Sequence, residues 1–361
     1  MEEPREETSQ DQPPPSELPP APPGTTGPPA RRFLPSLLYL SVPLLRALLF
    51  LTVFYYYLQR GVGLFLFSLH SLIGGPMFRQ GGFGVSEEFV LMAFALCFPP
   101  LILVTWLFVR FLDRRTLASI GARWPDGGRR AALWQTATAI LGAVAVLAVW
   151  LTLILVLPDT LASVRFGGLS PEYRNGEPWW PLPSLLLLVF LLIGFVLQGG
   201  LEEWIMRGYI YRTLRERWRP WVSALVSSTL FSLLHASNPN VSLLALANIV
   251  LAGMILAALV ERTGSLWSAT LAHGAWNFAV ACLLSVPVSG MRMFHLLIVR
   301  ITGNPDLTGG GFGPEGSALL TLIGIALTAL LWRGMWRRKS EREAALVPVS
   351  APGDVFIPLS S

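Results

Sequence analysis

Residues 180–207 read WPLPSLLLLVFLLIGFVLQGGLEEWIMR. The stretch carries no charge before Leu201, and a helix rising 1.5 Å per residue over that length crosses the roughly 30 Å of hydrocarbon in a bilayer. Two adjacent glutamates, Glu202 and Glu203, follow at once, with Arg207 four residues beyond the second. Ionisable groups at membrane depth are costly and are kept chiefly where they work.

Seven more apolar runs lie outward from this one, at 34–58, 89–109, 131–157, 221–236, 241–260, 266–286 and 318–336. Over the 361 residues, 53% are hydrophobic and 14% charged, where a soluble domain carries roughly 25% charged residues. Mean hydropathy is +0.54. These values exclude a cytosolic globule, a disulfide scaffold and a disordered regulator. They predict an all-α fold, a polytopic transmembrane helical bundle of about eight spans. Cys97 and Cys282 both sit inside apolar runs and read as small buried hydrophobes.

The formal charge of +5 is carried by arginine, with Lys339 the one lysine. A nucleic-acid partner would need one basic face; here the arginines are shared among the loops, so no nucleic acid is expected. Cytoplasmic loops hold the excess of Arg and Lys. Arg110, Arg114, Arg115, Arg123, Arg129 and Arg130 separate the second and third runs. Arg207, Arg212, Arg215, Arg217 and Arg219 separate the fourth and fifth, and Arg333, Arg337, Arg338 and Lys339 end the eighth. The other loops hold Arg60, Arg79, Arg165, Arg174, Arg292 and Arg300. All the strongly basic loops share one side if both termini are cytoplasmic.

The expected organisation is a Pro-rich disordered cytoplasmic tail (1–32), N-terminal transmembrane helices (33–180), a core (181–290), a loop with the last span (291–339) and a disordered tail (340–361). Arg31 and Arg32 precede an apolar run longer than a signal-peptide core and read as a membrane anchor. The apolar piece 62–73, which holds His70, is too short to cross. The glycine runs 81–84 and 309–313 lack the strand and helix context of a phosphate loop and read as turns.

Three polar groups stand in or beside the fourth, fifth and seventh runs: Glu202 and Glu203 with Arg207, Phe231 with His235, and His273 with Asn277. Within each group residues four apart share a helix face. If 218–220 form the turn of a hairpin, Glu202 and His235 lie at one height, roughly 25 Å from it. His273 lies about 14 Å from its own turn at 262–264, so the heights match if the first hairpin protrudes. Asn248, and Gly253 with Ala257, read as helix packing.

These residues resemble a known family, the CAAX prenyl protease and bacteriocin-processing (Abi) family of intramembrane glutamic endopeptidases. Its motifs EExxxR, FxxxH and HxxxN are complete here as Glu202-Glu203-Trp-Ile-Met-Arg207, Phe231-Ser-Leu-Leu-His235 and His273-Gly-Ala-Trp-Asn277. The likeness covers about 185–285. It implies an endopeptidase in which Glu202 and His235 activate a water while His273 and Asn277 form an oxyanion hole. Desolvation of a carboxylate suits Glu202 to the role of base. Glu203 and Arg207 read equally as a structural ion pair and as support for the site, and Phe231 as packing that positions His235.

Two rival readings come from other chemistry. Glu202, His235 and His273 make a recognised zinc ligand set, although no H-E-x-x-H is present. A proton-coupled transporter or a silent scaffold would also hold intramembrane carboxylates and histidines. Transporters usually carry internal repeats, and none is visible. The expectation is therefore hydrolysis without a metal or other cofactor, with a peptide or membrane-protein substrate and the lipid bilayer as partners. Arginine-dominated usage points to a GC-rich bacterium and hence to its inner membrane.

Overall fold

The computed structural model describes residues 36–56, 68, 101–125, 127–169, 184–293 and 295–345. The contacts divide the chain into two compact units, Met1–Tyr39 and Leu40–Ser361. Of the first unit only the opening of one helix is described; all other described residues belong to the second. The piece 62–73 apart from residue 68, the glycine run 81–84, Cys97, Arg60, Arg79, Arg174 and both expected tails up to residue 35 and from residue 346 lie outside the described residues.

Each apolar run yields a helix. These are α1 (Ser36–Tyr56), α2 (Leu101–Leu112), α3 (Gly128–Leu155), α4 (Ser184–Glu203), α5 (Pro220–Leu234), α6 (Leu243–Thr263), α7 (Trp267–Phe278) and α8 (Ala318–Ala345). Their ends follow local chemistry. Pro220 opens α5, where a missing N–H costs nothing. Ser242 caps α6 by accepting from the Ala245 N–H, and Gly264 closes it at φ 67°, its N–H returning to the Val260 carbonyl.

Four stretches are long and apolar enough to cross a membrane: Gly128–Leu155, Leu188–Leu214, Leu243–Thr263 and Ala318–Met335. Ser41–Phe54, Leu101–Leu112 and Pro220–Leu234 are apolar and shorter. Leucines and isoleucines face outward along them, among them Leu45, Leu133, Leu141, Ile193 and Leu330, as a surface solvated by lipid requires.

The helices pack as α7 against α4 and α3, α5 against α6, and α6 against α8. At the first contact Gly274 is obligatory, since a Cβ there would stand 2.6 Å from Val196 Cα. Small residues at such crossings let backbones approach. Cys282 is fully buried in an apolar cluster with Trp150, Leu191 and Phe195.

The links between helices sort into two sets. Those after α2, α4 and α6 meet one another: Leu266 N–H donates to the Gly121 carbonyl at 2.9 Å, Ser265 Oγ donates to the Arg123 carbonyl at 2.6 Å, and Arg115 pairs with Glu216 at 2.9 Å. Those after α3, α5 and α7 meet at the opposite end. There Asn238 Nδ2 donates to the Ser289 carbonyl at 3.1 Å, and a pair of strands joins the third link to the seventh. A chain that crosses once per helix must alternate ends in this way.

Those strands correct the all-α expectation. β1 (Ala162–Leu169) pairs antiparallel with β2 (Leu297–Gly303), Ser163 opposite Thr302 and Val164 opposite Ile301. More than a hundred residues separate the partners, so neither segment's local pattern reveals the other. A second correction concerns the fourth run. It does not stop at Leu201 but continues as a π-helix (Trp204–Tyr211) and a final turn (Arg212–Leu214). Its polar residues pair within the bundle, so the backbone has no reason to break. At the other end, α8 runs beyond Lys339 to Ala345 through residues that favour helix, Glu, Arg and Ala. The glycine run 309–313 is a turn, with Gly309, Gly310 and Gly313 at positive φ.

Candidate active site

The two glutamates that end α4 have different surroundings. Glu203 is fully buried, and its Oε1 accepts from Arg207 Nη1 at 3.0 Å, four residues along the same helix. Both side chains of this pair are sealed from solvent. The Glu202 side chain is 27% exposed, so of the two it is the less enclosed. The Arg207 guanidinium lies 4.7 Å from the centre of the Phe231 ring, a cation over a π face. Its far side meets α6 at Gly253, where a Cβ would stand 2.6 Å from Arg207 Nη2 and 2.5 Å from Ser228 Oγ. Gly253, read from sequence as packing, thus gives the guanidinium its room.

His273 comes in from α7 between the carboxylates. Its Nδ1 lies 3.0 Å from Glu203 Oε1 and its Nε2 lies 3.6 Å from Glu202 Oε2. An ionised carboxylate only accepts, so Nδ1 carries the proton given to Glu203 and Nε2 is turned toward Glu202. Such a partner behind an imidazole fixes both tautomer and ring plane.

His235 stands at the end of α5, just past its last helical residue. Its Nδ1 lies 3.0 Å from the Phe231 carbonyl; a carbonyl accepts, so Nδ1–H donates and Nε2 is left for other work. The Phe231 ring is 4.7 Å from the His235 ring and 6.0 Å from that of His273, edge-on to both. The structure therefore joins Glu202, Glu203, Arg207 and His273 by polar contacts, while His235 and His273 both meet the Phe231 ring.

Asn277, one turn after His273, donates from Nδ2 to Gln198 Oε1 at 3.0 Å. Gln198 in turn donates from Nε2 to Glu202 Oε1. Sequence reading passed over Gln198, although a signal was there: it is a polar residue in an apolar run, four positions before Glu202 and so on its face. A continuous path of polar contacts results, from Arg207 through Glu203, His273, Glu202 and Gln198 to Asn277.

A second residue overlooked in the sequence is Glu315, in the link before α8. Its Oε1 accepts from Trp276 Nε1 at 2.8 Å, and its backbone carbonyl accepts from Asn248 Nδ2 at 2.8 Å. Burial pushes the Glu315 carboxyl above its ordinary value, against the hydrogen bonds from Trp276 and Ser289 N–H. Asn248 also donates to the Ser317 carbonyl at 2.9 Å, so it staples α6 to this link, as a packing residue does. Among the described residues no three His, Cys, Asp or Glu side chains are grouped to hold a metal ion.

Residues 183–279 match the family described as type II CAAX prenyl endopeptidase, Rce1-like. That stretch holds all three motifs, and over it the resemblance to the CAAX protease and Abi family is shown. A protein of Escherichia coli described as an uncharacterized 24.3 kDa protein is 35% identical over 94 residues, 26% of this chain. The chain spans 42% of the length of that relative.

Proposed function

We propose that this chain is an intramembrane endopeptidase that hydrolyses a peptide bond with a water activated by Glu202. The observation that carries the reading is the polar path from Arg207 to Asn277, set in an apolar bundle within the stretch that matches an endopeptidase family. Glu202, partly exposed, takes a proton from the water. His235 Nε2, its other nitrogen being used by the Phe231 carbonyl, accepts from the same water and holds it. The hydroxide adds to the scissile carbonyl carbon. The oxygen that gains charge receives hydrogen bonds from His273 Nε2–H and Asn277 Nδ2–H. Glu202 then returns its proton to the amide nitrogen as the C–N bond breaks.

Glu203 and Arg207 act through His273. An Nε2–H donor, with Nδ1–H already given to Glu203, means the imidazolium form. In that form two carboxylates and two cations share the cluster, and its charge cancels. This removes the uncompensated ion that a low-dielectric site penalises.

The alternation of links supports an even number of crossings from α1 to α8, hence about eight spans with both termini on one side. The arginine-rich links after α2 and α4 make that side the cytoplasm. The membrane is then the inner membrane of a bacterium, and the substrate a membrane-embedded or membrane-bound peptide or protein.

The test compares peptides released in membranes bearing the wild-type chain or Glu202→Ala at equal abundance. Peptides that appear only with the wild type support the reading; identical peptide sets refute it. Metal analysis of the active preparation should find far less than one zinc per chain. Stoichiometric zinc, lost with activity and restored with it, would replace this reading by a metalloprotease.

A further inference from the structure

Gln198 has no part in the hydrolysis above, yet it touches both the base and an oxyanion donor. Its two hydrogen bonds run in fixed directions. An ionised Glu202 offers only lone pairs, so it draws the N–H end of the Gln198 amide. That turns the Gln198 carbonyl oxygen toward α7, and an oxygen draws the NH2 end of Asn277. One Asn277 hydrogen is then used on Gln198 and the second is left for the reaction. Without Gln198, the Asn277 carboxamide could present its oxygen to the same space, and an oxygen beside a developing oxyanion repels it. The backbone is shaped for this bridge: at Gly199 a Cβ would stand 3.1 Å from the Gly274 nitrogen, so α4 and α7 close up beside Gln198.

We propose that Gln198 is a positioning residue that couples the ionised state of Glu202 to the donor orientation of Asn277. The oxyanion donor is thereby set while the base is ready to take a proton. This assignment rests on the protease reading.

The test uses the full chain in lipid nanodiscs and an internally quenched peptide chosen for cleavage by the wild type. Gln198→Met keeps the length and removes both hydrogen bonds. Loss of one oxyanion donor costs about 100- to 1,000-fold in kcat; a donor left free to turn should cost about 10- to 100-fold, with KM changed by less than about twofold. In an Asn277→Ala background the same substitution should cost less than about threefold, because the group it orients is gone.

Turnover by Gln198→Met within about twofold of wild type, or its full loss repeated in the Asn277→Ala background, overturns the assignment. If Gln198→Met does not reach the membrane folded, Gln198→Asn, one methylene short, carries the same two expectations. Glu202→Ala separates the two levels. Full activity there sinks the protease reading itself, whereas an inactive Glu202→Ala beside an unimpaired Gln198→Met sinks only the role of Gln198.

Discussion

Replacing Arg207 by alanine should be among the most damaging single changes in the molecule, for a reason the structure makes quantitative. Arg207 and Glu203 are both wholly buried, 3.0 Å apart. Removing one partner of such a pair leaves an uncompensated charge and costs about 3–5 kcal/mol. In a protein of 361 residues each kcal/mol lowers the thermal midpoint by about 1–2 °C, so Arg207→Ala should melt about 3–10 °C below wild type. The control is the double variant Glu203→Gln with Arg207→Met, which removes both charges and leaves an amide oxygen to accept from His273 Nδ1. It should regain most of the lost stability, since replacing a buried ion pair by neutral groups is often close to neutral. It should not regain full activity, because an amide oxygen holds the His273 imidazolium less firmly than the Glu203 carboxylate does. The assay is thermal unfolding in detergent beside peptide cleavage. An Arg207→Ala midpoint equal to wild type, or a double variant no more stable than the single one, would refute the argument.

Gly253→Ala should displace the same guanidinium from α6, since the new methyl meets Arg207 Nη2 at 2.6 Å; it should lower the midpoint by several degrees and reduce kcat, and an unchanged midpoint would show that the neighbours yield freely. Glu315 lies outside the spans, and burial raises its carboxyl above the ordinary 4.5. Its contribution to stability is therefore complete below that value and is lost as pH rises through the raised one. The midpoint of Glu315→Gln should gain on wild type across that window; a constant difference would contradict this. Ser163→Cys with Thr302→Cys, opposite each other in the strand pair, should cross-link on mild oxidation. Failure to do so would break the argument that the third and seventh links share one end.

The helical runs were plain in the sequence because a span must be apolar over a fixed length, and the three motifs because polar pairs four apart stand out against such runs. The strand pair was not legible. β1 and β2 owe their conformation to each other, and the residues that join them are far apart in the chain. The continuation of α4 beyond Leu201 was hidden for a related reason. Glu202, Glu203 and Arg207 look like the end of a span until Glu203 and Arg207 are seen to neutralise each other inside the bundle. Glu202, His273 and Asn277 stand out by charge and spacing, but the side chain that links Glu202 to Asn277, Gln198, carries no charge and belongs to no motif. Glu315 escapes a sequence reading because it reaches Trp276 from outside the matching stretch.

The central claim is that Glu202, and not its neighbour or a metal, activates the water. Its most direct test is single-turnover cleavage of one validated peptide by purified wild type, Glu202→Ala and His235→Ala, each shown folded by an unshifted melting curve. The account requires both variants to lose at least about 100-fold in rate, the range for removing a general base or its partner, while yield and melting remain near wild type. Wild-type turnover by folded Glu202→Ala would contradict it.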